Sequence, residues 1–239
     1  MKRAILSDIH GNLEALEAVL DDARRQRIDE ILCLGDVVTY GPNPRECLER
    51  AMCWPACLLG GDDLAVREVL AGQQPSRGPV ERDARHAACA ADQLRVGPPA
   101  DVDRRTRFLN HLDATAIVDG MLFVHGSPRW TLDEHIFPED VYNSLKIAKL
   151  FALIDRHCFH GKSHIPGVIT ADEKFYGPDD CGGRYRLSGE KALIDVGSVG
   201  QPRDGDHRAC YVILDDEMVE FRRVEYPFEI THRKLETNS

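Results

Sequence analysis

Residues 4–12 read Ala-Ile-Leu-Ser-Asp-Ile-His-Gly-Asn, and this stretch decides the fold class of the chain. Residues 3–7 have the apolar character of a buried strand, so Asp8 and His10 fall where that strand ends. The two side chains are two residues apart and therefore project from the same side of an extended backbone. Open α/β sheets bind their ligands at the carboxyl ends of strands, so we interpret Asp8 and His10 as a pair of metal ligands.

Strands and helices alternate over the first quarter of the chain. The apolar pattern predicts a helix from Leu13 to about Arg25 capped by Asn12, a strand at Glu30–Leu34, a helix from about Arg45 and a strand at Ala56–Leu59. Such alternation is typical of βαβ units, whose strands form a parallel sheet.

The second half of the chain is richer in strands. The Asp119-Gly120 pair between two apolar runs predicts a hairpin. After it the pattern predicts a helix at about Pro138–Asp155, a strand ending near His160, and strands at Arg184–Leu187, Ala192–Val196, Ala209–Leu214 and Val219–Val224. Residues 72–112 begin with a linker-like stretch and continue with two helical segments, which we interpret as a helical insertion beside the site. We therefore expect one domain over residues 1–239.

Composition narrows the classes of function. The net charge is -10, which disfavours binding to nucleic-acid polymers and to anionic membranes. There is no signal-peptide pattern, and no apolar run approaches the length that crosses a bilayer. The eight cysteines contain no Cys-x-x-Cys pair, so a zinc finger is unsupported and reduced thiols are expected. These features predict a cytoplasmic protein.

Polar side chains follow five of the predicted strands. They are Asp8 with His10, Asp36, Asp62 with Asp63, His125, and Lys162 with His164. A single His after a strand is more often a structural residue, and an Asp after Gly is more often a turn residue or a helix cap. Recurrence at successive strand ends favours one shared site instead of five separate turns.

These motifs resemble, in order and spacing, those of the calcineurin-like metallophosphoesterases, and in particular the bacterial YfcE-type phosphodiesterase branch. The resemblance extends from Ile5 to about Tyr226 and includes two further loops, Tyr40–Pro44 and Gly197–Asp206. It implies an α/β fold of the metallophosphoesterase type, a four-layer α-β-β-α sandwich with a two-metal site at one edge. The helical insertion at about 72–112 would be an addition to it.

The resemblance also implies roles for individual residues. The first metal of the family would be held by the residues Asp8, His10, Asp36 and His164. The second metal would share Asp36 and add His125. The divalent metal would be Mn, Fe or Zn, because a mixture of carboxylate and imidazole ligands suits all three.

Three positions depart from the family pattern. Gly61 stands where the family has an Asn ligand, and Lys162 stands where it has a His ligand. Asp62 replaces the His that assists departure of the leaving group. A protonated lysine is not a ligand and places positive charge where a dication would sit. One metal site is therefore expected and the second is doubtful, with Lys162 either standing in for the second metal through an ion pair or swinging out to solvent.

Two functional interpretations follow. The first is a metal-dependent phosphoesterase of weak activity, acting on a phosphodiester or nucleotide, with Asp62 and Lys162 as catalytic residues. In it, Arg203 binds a phosphate oxygen or, alternatively, forms a surface salt bridge. The second is a catalytically impaired homologue that binds a nucleotide or a protein.

Overall fold

Two six-stranded sheets form the centre of the computed structural model, which describes residues 1–76 and 81–237, with the backbone alone for 81–83. In chain order the strands are β1 (Lys2–Leu6), β2 (Glu30–Cys33), β3 (Ala56–Cys57), β4 (Thr115–Val118), β5 (Met121–Val124), β6 (His157–His160), β7 (Gly167–Thr170), β8 (Phe175–Tyr176), β9 (Arg184–Arg186), β10 (Ala192–Asp195), β11 (Ala209–Asp215) and β12 (Met218–Val224).

The described helices lie on the outer faces of these sheets. They are α1 (Leu13–Arg25), α2 (Pro44–Ala51), α3 (Gly61–Leu70), α4 (Glu81–Leu94), α5 (Pro99–Asn110), α6 (Ser144–Phe151) and α7 (Phe228–Thr237), together with a short 3-10 helix at Pro138–Tyr142. Helix α1 begins where the sequence pattern predicts, and the Asn12 side chain caps it by accepting a hydrogen bond from the backbone N–H of Ala15.

Both sheets are mixed, and each contains a block of parallel strands. The first sheet has the order β3-β2-β1-β11-β12-β9, in which β1, β2 and β3 are parallel. The second has the order β4-β5-β6-β10-β7-β8, in which β5, β6 and β10 are parallel. The parallel blocks carry the strand ends that the sequence marks with polar residues.

Side-chain alternation along the strands divides the core into layers. On β1, Ile5 packs between the two sheets, whereas Ala4 and Leu6 face the helices on the other side. On β10, Ile194 packs between the sheets, whereas Leu193 faces a cluster that includes residues of α6. Two sheets packed face to face with helices on both outer surfaces form the predicted four-layer sandwich, which is confirmed.

The segment predicted as a helical insertion, 72–112, contains α4 and α5, while residues 77–80 lie outside the described residues. Apolar residues of these helices, including Ala91, Leu94 and Leu109, belong to the same buried cluster as those of α1. This shared core supports our proposal that residues 1–239 form one domain.

Some local predictions are wrong. The helix expected at about Pro138–Asp155 is two elements, because the Asn143 side chain accepts a hydrogen bond from the Lys146 N–H and starts α6 afresh. Helices α3 and α7 and strands β7 and β8 have no counterpart in the sequence prediction. Among the described residues, no helix is long and apolar enough to cross a membrane.

Candidate metal centre

The carboxyl ends of parallel strands from both sheets meet at one edge of the sandwich. Within each sheet, backbone bonds tie neighbouring loops together, from Asp8 N–H to Gly35 O (3.0 Å) and from Gly161 N–H to His125 O (3.0 Å). Between the sheets, the Lys162 N–H donates to Asp8 Oδ2 (2.9 Å). The loops after β1, β2, β5 and β6 are therefore held against one another, as the sequence pattern predicts.

Asp8, His10 and His164 form the first buried cluster, with ligand atoms within 4.8 Å of one another. The Nε2 atoms of His10 and His164 lie only 3.2 Å apart. The Nδ1 of His164 donates to the Gln201 carbonyl at 2.5 Å, and the Nδ1 of His10 faces the Thr39 hydroxyl at 3.4 Å. These outer contacts leave both Nε2 atoms turned toward one common point, as in metal sites whose imidazoles are fixed from behind.

Asp36 and His125 form the second cluster together with Asp8. The Nε2 of His125 lies 3.0 Å from Asp36 Oδ2, and the His125 side chain is fully buried. Burial opposes a charge on His125, but the Asp36 carboxylate outweighs it and brings the pKa of the imidazole up to about 9. Burial alone would raise the pKa of Asp36, but the charge and the hydrogen bond of His125 outweigh this effect and hold the pKa of that carboxyl well below its usual range.

The donor set fits a divalent metal. Among the described residues, Asp8 Oδ1 and both ring nitrogens of His125 are buried polar atoms without a hydrogen bond of acceptable geometry. Asp8 Oδ1 nevertheless lies 3.1 Å from His164 Nε2 and 3.6 Å from His10 Nε2. Close but misaligned ligand atoms are expected where a cation belongs between them. Asp8, His10, Asp36, His125 and His164 could therefore hold a metal.

The backbone of the centre is strained. Five of its residues that are not glycine have positive φ angles, namely Asp8, His10, Asp36, Lys162 and His164, with values between 47° and 68°. This left-handed conformation is costly for residues with a Cβ, and it clusters at functional sites.

Two glycines allow the chain segments to approach so closely. A Cβ at Gly60 would lie 2.1 Å from Asp36 Oδ1, and one at Gly161 would lie 2.1 Å from Ser7 Oγ and 2.6 Å from Asp8 Oδ2. Any side chain at either position would displace a ligand carboxylate. The glycines of these motifs are thus a steric requirement of the centre.

Asp62 lies beside the centre at the start of α3. Its N–H donates to Asp36 Oδ1 (2.8 Å), and its Oδ2 accepts from the Thr39 hydroxyl (3.1 Å) and lies 3.6 Å from His10 Nδ1. Burial, and then the neighbouring charge of Asp36, raise the pKa of Asp62 to about 6. A carboxyl with such a pKa can exchange a proton near neutral pH.

Lys162 lies beside Gly61, and the sequence analysis expects a ligand of the second metal to be missing at each of these two positions. Its Nζ is 3.4 Å from the position that a Cβ of residue 61 would occupy. Together with Gly61 and Asp62 it lines one cavity. The ammonium group thus turns inward, toward the place left by the absent side chain at Gly61.

Three buried residues that the sequence analysis did not assign support the loop that carries Lys162 and His164. Asp195 accepts hydrogen bonds from the Ser163 hydroxyl (2.7 Å) and from the Gly197 N–H (2.8 Å), and His160 Nδ1 lies 3.4 Å from its Oδ2. Burial raises the pKa of Asp195. Only the folded structure brings Ser163, Asp195 and His160 together, so no sequence signal identifies them.

Asp63, next to Asp62 in the sequence, is also buried. Its carboxylate accepts from the backbone N–H groups of Val37 (2.9 Å), Val38 (3.1 Å) and Gly60 (3.1 Å). Burial and then the Asp36 charge raise its pKa to about 7. Asp63 fixes the loop after Asp36, for which the sequence carries no signal, whereas its contact with the Gly60 N–H is the capping role that an acidic residue three positions after Gly60 could indicate.

Arg203 lies outside this buried group. It is exposed, and its Nη2 donates to Gln201 Oε1 at 2.8 Å. Its positive charge is nonetheless close enough to His164 and His135 to oppose their protonation. Arg203 therefore stands at the rim of the centre.

Comparisons with known proteins identify the family to which the chain belongs. The family model of the calcineurin-like phosphoesterase superfamily domain matches residues 1–218. The chain belongs to the calcineurin-like phosphoesterase superfamily. The family resemblance predicted from the sequence motifs is confirmed, and membership indicates phosphoester chemistry with a metal.

Individual relatives agree over nearly the whole chain. An uncharacterised protein of Methanocaldococcus jannaschii is 32% identical, covering 98% of this chain and 92% of its own length. A metallophosphoesterase from Sphaerobacter thermophilus has a crystal structure with a TM-score of 0.82 and 33% identity, covering 99% of this chain and 94% of that one. A hypothetical protein from Pyrococcus horikoshii shares the fold, with a TM-score of 0.75, 17% identity and coverages of 99% and 92%.

Proposed function

We propose that the protein is a metal-dependent phosphoesterase that hydrolyses a phosphodiester or a nucleotide with one tightly held metal ion. The convergence of Asp8, His10, Asp36 and His164 at one buried edge carries this proposal. Family membership supports phosphate-ester substrates. Mn, Fe and Zn all remain candidates for the ion.

When bound, a divalent cation would polarise a phosphate oxygen and lower the pKa of a water molecule. The residues around it would do the remaining work. His10 and His164 are oriented from behind through Nδ1, so their Nε2 atoms need no rearrangement to act as ligands. Asp8 and Asp36 supply the negative charge that retains a cation in a buried place.

Lys162 takes the place of the second metal in this proposal. Gly61 offers no ligand, and the Lys162 ammonium occupies the adjacent space. Asp36 and His125 meanwhile pair with each other at 3.0 Å. A fixed ammonium can stabilise negative charge on a phosphoryl group, but less well than a dication, so we expect low turnover.

Asp62 is proposed as the proton donor to the leaving group. It lines the cavity beside the centre, and its pKa of about 6 keeps part of the population protonated near neutral pH. Arg203, exposed at the rim and linked to Gln201, is proposed to contact a phosphate oxygen.

A second candidate function is binding without catalysis, which the absent ligand at Gly61 and the charge of Lys162 favour. Hydrolysis of bis(p-nitrophenyl) phosphate with added Mn distinguishes the two candidates. Turnover that disappears in Asp36→Asn supports the enzyme. Turnover that survives this substitution is contamination, and no turnover with Mn, Fe or Zn supports the binding protein.

Metal content gives a separate test of the one-metal arrangement. We expect about one ion per chain after mild purification, because Gly61 and Lys162 supply no ligand to a second ion. Two tightly held ions would contradict the role of Lys162. The triple variant Gly61→Asn, Asp62→His, Lys162→His is expected to gain a second ion and higher activity.

All eight cysteines are free thiols, which supports our further proposal of a cytoplasmic location.

A further inference from the structure

A cavity of about 190 Å³ opens directly beside the metal centre. Its walls come from the loops after β2, β5 and β6, and from α3 and α4. None of the family motifs accounts for the walls that α4 and the loop around His135 contribute.

Aromatic rings form much of this wall. The rings of Tyr40 and His86 pack together with centroids 4.6 Å apart and planes at 60°. His135 adds a third ring, and burial followed by the nearby Lys162 lowers its pKa to about 4, so the ring is uncharged at neutral pH. An aromatic ring or an uncharged imidazole ring packs well against the face or edge of another planar ring.

The cavity is also lined by charged side chains. Lys162 and Asp62 line it, and both belong to the centre described above. A phosphoryl group held at the centre would therefore pair with the Lys162 ammonium, and the group esterified to it would enter the cavity. Asp133 also lines the cavity, and its carboxylate can accept a hydrogen bond from a polar edge of that group.

Size and wall chemistry limit what the cavity accepts. An enclosed protein cavity of about 150 Å³ is known to hold one benzene molecule, so this open cavity has room for one ring with small substituents. Small side chains at Ala65 and Ala87 leave this space open. We propose that the cavity binds a single planar ring of the substrate, attached to the phosphoryl group at the centre. This inference rests on the proposed function, whose substrate class it narrows.

Two phosphonates that the protein cannot hydrolyse test the proposal. Phenylphosphonate and methylphosphonate share the charged group and differ in the ring, and isothermal titration calorimetry with and without added Mn measures both. Burial of the ring is expected to make phenylphosphonate bind the wild-type protein about tenfold more tightly or better. Absence of measurable phenylphosphonate binding, or equal affinity for the two, would overturn the proposal.

Ala65→Leu fills the cavity, whereas Ala88→Leu makes the same change at an exposed position of α4 outside it. The preference for phenylphosphonate should fall about fivefold or more in Ala65→Leu and persist in Ala88→Leu, because only the first removes the space for the ring. An unchanged preference in Ala65→Leu overturns the proposal. Should that variant not fold, His86→Ala replaces it, and the same preference must then fall.

Binding of the phosphonates does not depend on turnover. A ring preference without phosphodiester hydrolysis would refute the proposed enzyme and leave the ring site standing. Hydrolysis without a ring preference would refute the ring site alone.

Discussion

Replacement of Asp195 by alanine is the sharpest test of how the centre is supported. Asp195 is only 5% exposed and accepts hydrogen bonds from the Ser163 hydroxyl and the Gly197 N–H. Asp195→Ala leaves two buried donors without their acceptor, and each such loss costs about 1–3 kcal/mol. We expect the free energy of unfolding to fall by about 3 kcal/mol.

The consequence should reach the metal centre, because the loop that Asp195 holds carries Lys162 and His164, both in a left-handed backbone conformation. Without that support, the loop is expected to relax toward an ordinary conformation and to bind the metal less tightly. Urea denaturation and metal analysis measure the two effects. A loss of less than about 1 kcal/mol with unchanged metal content would refute the reasoning.

Asp195→Asn is the matched control, since it keeps an oxygen acceptor and removes the charge. Burial raises the pKa of Asp195 in the fold, so the unfolded chain ionises first as the pH rises. The stability of the wild-type protein should therefore decrease, relative to Asp195→Asn, as the pH rises from about 4 through the raised pKa. If the difference in unfolding free energy between the two proteins stays constant across this pH range, the pKa of Asp195 is not raised in the fold.

Three further predictions concern other parts of the molecule. Gly161→Ala should lower the metal content, because its Cβ would lie 2.6 Å from Asp8 Oδ2; unchanged metal analysis would contradict this. Asp22→Asn should cost about 2 kcal/mol at pH 7, because it breaks a hydrogen-bonded ion pair with Arg222. Burial opposes the charge of Asp22, but the hydrogen bonds from Arg222 and Tyr211 outweigh it and lower the pKa. The loss should therefore shrink as the pH falls from about 4 through the lowered pKa, as acid denaturation can check. Lys162→Met should reduce phosphodiester turnover about tenfold or more, and equal rates would remove its electrostatic role.

The sequence predicts the centre better than the elements around it. Parallel strands end at one edge, so the positions of Asp8, Asp36 and His125 follow once the βαβ pattern is recognised. The cap of α1 at Asn12 is likewise local and was predictable. Helix α3 is not predicted, because a pair of Asp residues after two glycines suits a site or a turn as well as the first turn of a helix, where acidic residues are also favoured.

Features that depend on tertiary packing could not be predicted. Asp195 meets Ser163 and His160 only because β10 pairs with β6. The inward direction of Lys162 depends on the space at Gly61, which a sequence cannot measure. The ring-lined cavity likewise requires α4 to place His86 against Tyr40.

The positive φ angles at five residues of the centre lower the stability of the fold, although the side chains of these residues form the centre. A left-handed residue with a side chain costs about 1 kcal/mol or more, and a domain is stable by only about 5–15 kcal/mol in all. A selection that rewards heat resistance alone should therefore favour glycine at Lys162, whereas glycine at Asp8 or Asp36 would also leave the backbone N–H of Lys162 or of Asp62 without its acceptor. The hydrogen bonds that these carboxylates accept therefore offset part of the strain, so the centre is held together by the same side chains that would bind the metal.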